Sequence, residues 1–124
     1  MTTTATHINR QSFTAPADVD LSTKQYYALS INSDGEAVVA GAASVKPYIL
    51  GNKPSVAGQP AEVIYSGVCP VVCGGSVTAG NSVKTDSDGK IVAASTGNSA
   101  IGVALTGGAS GEQANVNLFA HVAP

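Results

Sequence analysis

The stretch KTDSDGKIVAAS, Lys84 to Ser95, repeats the pattern of SINSDGEAVVAG, Ser30 to Gly41. In each, a short β-prone run enters an Asp-Gly pair and a run of Val, Ile and Ala leaves it. Asp34 with Gly35, and Asp88 with Gly89, are residues that tolerate the positive φ of a tight turn, so both copies predict a hairpin. The echo then continues. AIGVALTGG stands where PYILGNK stood, and GEQANVNLFAHV stands where GQPAEVIYSGV stood. From Ser33 to Ser87 the offset is 54, and from Gly58 to Gly111 and Val63 to Val116 it is 53, so one residue of loop length separates the copies. A match over about 37 residues predicts an internal duplication of a four-stranded unit, two copies of which would close one core that neither half buries alone.

The rest of the chain fits that reading. KQYYALSI, GEAVVAG, VKPYILGNKPS and AEVIYSGVCPVV are short runs rich in Val, Ile and Tyr separated by turn residues, with Pro47 confining its run to a strand start or an edge. In ANVNLF, Val116 and Leu118 alternate with Asn115 and Asn117, the signature of a half-buried antiparallel strand. No segment of ten residues sustains a helical stripe. The expectation is an all-β fold, a small β-sandwich or β-barrel built from two similar halves of about 21–74 and 75–124 within one domain, 21–124. Residues 1–20, MTTTATHINRQSFTAPADVD, hold no period of two or 3.6 and read as a flexible arm whose SFT could add a strand to another sheet.

Composition limits what such a domain can do. Of 124 residues, 44% are apolar but only 5% aromatic, with no Trp, so the core must be assembled from small side chains. Charged residues make up 11%, under half the usual share of about 25%. A formal charge of -2 supplies no field to collect phosphates or anionic lipid, which argues against nucleic-acid and membrane partners. No apolar run reaches the roughly 18 residues of a membrane span and the first residues lack a secretory signal, so a soluble, unexported chain is expected. Cys69 and Cys73, four apart on an extended strand, would lie about 13 Å from each other, too far for a disulfide; they read as two free core residues.

Reactive groups are few. His7 and His121 lie near the termini, and the local signatures of thiol hydrolases around Cys69 or Cys73 are missing. The carboxylates Asp18, Asp20, Asp34, Glu36, Glu62, Asp86, Asp88 and Glu112 fall mostly in or beside predicted turns. DSDG is similar to the opening of a calcium loop but lacks the later oxygen ligands and the closing Glu, so a turn in which Asp88 bonds its own backbone is the better reading. GGSVTAG and TGGASG lack the Lys-Ser/Thr ending of a phosphate loop. No catalytic residue, metal or cofactor is expected. A surface of Ser, Thr, Asn and Gln is instead cheap to desolvate, which suits burial in an assembly.

Three segments, DLSTKQYYALSINSDGEAVVAG, ILGNKPSVAGQPAEVIYSGV and GGSVTAGNSVKTDSDGKIVAASTGNSAIGVALTGGASGEQANVNLF, together resemble the small capsid decoration, or cement, proteins of tailed bacteriophages. The likeness spans about Asp20 to Phe119 and departs from the family at Asn81, where Asp is common, and at the Cys pair. It implies a β-rich virion protein, made in the host cytoplasm, that binds the major capsid protein on the outer surface of the head and stiffens the lattice without catalysis. It also implies a homo-oligomer, with a trimer as its form on the lattice, although the residues themselves leave monomer and dimer open. Thr2, Thr3, Thr4, Ile8, Arg10 and Phe13 are the expected contact residues of an arm reaching the capsid, and Asp34, Gly35, Asp88 and Gly89 the expected turn residues. The competing readings are another virion β module, from a tail, baseplate or receptor-binding protein, and a small hydrolase or metal-dependent enzyme.

Overall fold

The structure, a computed structural model, describes residues 10–124. Nine strands account for all the regular structure among these residues: β1 (Gln11–Pro16), β2 (Leu29–Ile31), β3 (Ala37–Val39), β4 (Ile49–Leu50), β5 (Pro60–Val72), β6 (Ser82–Thr85), β7 (Ile91–Ala93), β8 (Ser99–Ala104) and β9 (Gln113–Val122). The fold is all-β, as the Val- and Ile-rich runs and their turns require. Every ladder between strands is antiparallel.

The duplication holds at the level of single residue pairs. Leu29 faces Val39 and Ile31 faces Ala37 in the first hairpin; 54 positions on, Val83 faces Ala93 and Thr85 faces Ile91. Ile49 opposite Ile64 becomes Val103 opposite Asn117, and the lone bridge of Ala28 to Ile49 becomes Ser82 opposite Val103. Even an unfavourable backbone angle is conserved between halves, with Tyr26 at φ 68° where the second half has Gly80 at 90°. Backbone hydrogen bonds recur with it: Tyr26 N donates to Leu50 O at 2.7 Å, and Gly80 N to Ala104 O at 2.7 Å.

The repeating unit has five strands, one more than the sequence reading allows, and the fifth comes from the segment read as an arm. Gln11–Pro16 forms β1 and pairs with the first part of β5, Phe13 opposite Val63 and Ala15 opposite Ala61. The second part of β5 does the same against β9, Cys69 opposite Val116 and Val71 opposite Ala114. One 13-residue strand therefore ends the first unit and begins the second, and the halves divide inside it rather than near residue 74. Gly67, at φ 92°, lies where β5 leaves one unit for the other. A side chain there would disfavour the left-handed backbone that redirects the strand.

Each unit closes on itself. In the first, β1 pairs with β5, β5 with β4, β4 with β2 through Ala28 and Ile49, and β2 with β3; a parallel bridge from Ala37 of β3 to Ala17, just past β1, completes the ring. In the second, β5, β9, β8, β6 and β7 follow in the same order and Cys73 to Ile91 completes the ring. The expected single shared core is thus replaced by two small barrels in tandem, because the extra strand lets each half enclose its own interior. Ala15, Ala17, Leu21, Leu29, Ala37, Leu50, Ala61 and Val63 fill the first, and their counterparts Val71, Cys73, Val77, Val83, Ile91, Ala104, Ala114 and Val116 fill the second. Volume is traded within the set: Ala37 and Leu50 in one barrel are Ile91 and Ala104 in the other. Burying each Leu, Ile or Val contributes about 1.5–3 kcal/mol.

The barrels are fastened side by side. Ala28, Ala40, Ile49 and Ile64 of the first unit belong to the second unit's core cluster. Thr85, the one buried polar residue among those described, donates from Oγ1 to Gly41 O and accepts from Ser44 N, both at 2.8 Å, so its hydroxyl is satisfied across the junction.

Candidate interaction surfaces

The two SDG turns are built alike, by residues other than those expected to build them. Asn32 Oδ1 accepts from Asp34 N at 3.0 Å and Glu36 N at 2.9 Å; Asp86 Oδ1 accepts from Asp88 N at 2.8 Å and Lys90 N at 3.0 Å. The side chains of Asp34 and Asp88 therefore do not shape the turns; the Asx residues two positions earlier do. Gly35 and Gly89 do take positive φ, 78° and 79°.

Their surroundings differ. Gly35 is exposed, and a Cβ there would meet nothing within 4 Å. Gly89 is buried: a Cβ would run into the Val39 side chain and lie 3.2 Å from Ala28 O and 3.3 Å from Ala40 O. The second turn is seated in the first barrel, where Ala28 N donates to Gly89 O at 2.7 Å.

Of the expected contact residues, Thr2, Thr3, Thr4 and Ile8 lie outside the described residues. Arg10, just before β1, and Phe13, within it, are described. Arg10 Nη2 lies 3.9 Å from Glu62 Oε2, a partly exposed pair that adds little stability. Phe13, half exposed on β1, packs edge-on against Tyr48 with ring centroids 5.6 Å apart and against Tyr65 at 5.8 Å. Three of the chain's six aromatic residues thus form one surface patch. Beside it, β1 ends the sheet order β1-β5-β9-β8-β6-β7, and among the described residues no strand pairs with its outer edge over Gln11–Thr14. Composition hid this patch, because its members are 17 to 52 positions apart in sequence.

A pairing the sequence reading missed involves His121. Its Nδ1 is 3.1 Å from Phe119 O, and its Nε2 is 2.8 Å from Ser82 Oγ. If Nδ1 carries the proton for that carbonyl, Nε2 accepts from the serine. Phe119 stacks on the imidazole at 4.4 Å. No carboxylate orients this ring, and the contact ties the end of β9 to β6. Cys69 and Cys73 are free and buried; burial pushes the Cys69 thiol up to about 12 and also raises Cys73. Among the described residues no three of His, Cys, Asp and Glu come together in a metal-holding group.

No family model and no curated protein matches the chain. Among solved structures, the fold is similar to the crystal structure of the N base of head fiber gp8.5 in bacteriophage phi29, with a TM-score of 0.67 and 21% identity, over 89% of this chain and 94% of that one. At that identity the likeness is one of fold.

Proposed function

We propose that this chain is a structural protein of a phage virion, a non-catalytic β module that binds the outer surface of the head and braces the major capsid protein lattice. The observation that carries the reading is the likeness in fold, over nearly the whole of both chains, to the base of a phage head fiber. The low charge and the scarcity of reactive groups agree with it. A shell under internal pressure fails where neighbouring capsomers part, and a protein bound across such a seam adds its binding free energy to the contacts that must break. With many copies per shell, sites of about -8 kcal/mol each, micromolar in affinity, suffice collectively.

In this reading the capsid is met at the Phe13 end of the first barrel. The half-exposed rings of Phe13 and Tyr65 supply apolar anchors of the kind that dominate interfaces. The outer edge of β1, unpaired among the described residues, can accept a strand from the partner. Co-sedimentation of the protein with heads lacking it tests the assignment: Phe13→Ala with Tyr65→Ala should weaken binding at least tenfold, and Leu105→Ala, an exposed residue of the second barrel, should leave it unchanged. Equal binding by all three proteins would move the contact elsewhere.

A further inference from the structure

We propose that copies of this chain join head to tail, the Asn32–Glu36 turn of one copy seating in the cavity at the free end of the second barrel of the next. The contact has a template within the chain itself. The Asp86–Lys90 turn of the second barrel rests on the first barrel at Gly89, which is pressed to Val39 and to the backbone of Ala28 and Ala40, while Ser87, Asp88 and Lys90 border a remaining cavity of about 400 Å³ with Tyr27, Val39, Ala40 and Gly41. Beside it, Ala43 N donates to Thr85 O at 3.0 Å.

The second barrel carries the same seat 54 positions on. Gly80, Asn81, Ser82, Ala94, Ser95 and Thr96, which correspond to Tyr26, Tyr27, Ala28, Ala40, Gly41 and Ala42, line a cavity of about 430 Å³ together with Ala123 and Pro124. Part of the template is already supplied there by the end of the chain. Gly97 N donates to Ala123 O at 2.9 Å, as Ala43 N does to Thr85 O, and Thr96 Oγ1 donates to Pro124 O at 3.0 Å. The portion of the seat that holds an SDG turn in the first barrel is covered by no SDG turn in the second.

The chain also carries an SDG turn that no described residue seats. Asn32–Glu36 has the Asx hydrogen bonds and the glycine φ of the seated turn, and no described atom would lie within 4 Å of a Cβ at Gly35. A turn at one end and its matching seat at the other make a heterologous contact, which closes into a ring or runs on as a chain according to the rotation between copies. A second copy is the occupant because the shape already accepted by the first seat is the one the free turn presents.

The test uses full-length protein and two single variants, Ser33→Cys and Ser95→Cys. Their counterparts, Ser87 and Gly41, border one cavity in the template. Mixed under mild oxidation, the two should give a disulfide-linked heterodimer well above the yield of either variant alone, the native cysteines being buried. Adding Gly35→Asn to the Ser33→Cys chain keeps the left-handed turn but puts a side chain where Gly89 of the template meets the backbone carbonyls of Ala28 and Ala40, and should cut the yield at least tenfold. Sedimentation of the unmodified protein should show its average mass rising between about 10 μM and 1 mM. A constant monomer mass without cross-linking, or a cross-link indifferent to Gly35→Asn, would overturn the proposal.

Discussion

The pair of turns shows how identical residues come to have unequal importance. Gly35 and Gly89 share one backbone conformation, so replacement by Ala costs each about 1 kcal/mol for the left-handed region. Only at Gly89 does the new methyl also meet the other barrel, adding about 1–3 kcal/mol of overpacking. Urea denaturation should therefore rank Gly89→Ala well below Gly35→Ala in stability; equal losses would mean that the seat gives way. The same measurement separates the residues that build the turns from those that merely stand in them. Asn32→Ala and Asp86→Ala each remove an acceptor of two backbone N–H bonds and should cost about 1–2 kcal/mol, whereas Asp34→Ala and Asp88→Ala should stay within about 0.5 kcal/mol of the parent. Cys69 adds a pH dependence. Its thiol ionises at about 12 when folded against an ordinary 9.0, so the stabilisation it brings is complete below pH 9 and is lost as pH rises toward 12. Cys69→Val should flatten that alkaline decline in stability, measured across roughly pH 8 to 11; an unchanged slope would assign the decline to other groups.

Among the elements, the two barrels are matched in their interiors by compensation. Leu50→Ala alone should cost about 2–5 kcal/mol through the cavity it leaves, and Ala37→Ile alone about 1–3 kcal/mol through crowding. Together they copy the Ile91 and Ala104 arrangement of the second barrel, and the double variant should lose clearly less than the sum; strict additivity in that cycle would show that the two positions do not share space. The legibility of the fold follows from the same comparison. The hairpins and the last strand of each unit were readable because SDG, IGVAL and the alternating ANVNLF keep turn chemistry and period in view. The first strand was not. Ser12 to Ala17 and Val68 to Cys73 share no residue at matching positions, and the offset there is 56 instead of 53 or 54. β1 buries only Ala15 along its length, while its other side chains face outward, so hydrophobic alternation gives almost no signal. Missing that strand turned two closed barrels into two halves of one. The aromatic patch and the contact between Ser82 and His121 were hidden for a related reason: both are made by strand pairing that joins distant positions.

The whole molecule is a tandem of two barrels joined along their sides. The first barrel presents Phe13, Tyr48 and Tyr65 beside the outer edge of β1, and the junction is held by the seated turn and by Thr85. The measurement that bears most directly on the proposed function adds the purified protein to phage heads that lack it, images the particles and heats them. The account predicts ordered density on the outer surface at lattice positions and a rupture temperature raised relative to bare heads. Heads that show no added density and rupture at the same temperature would contradict it.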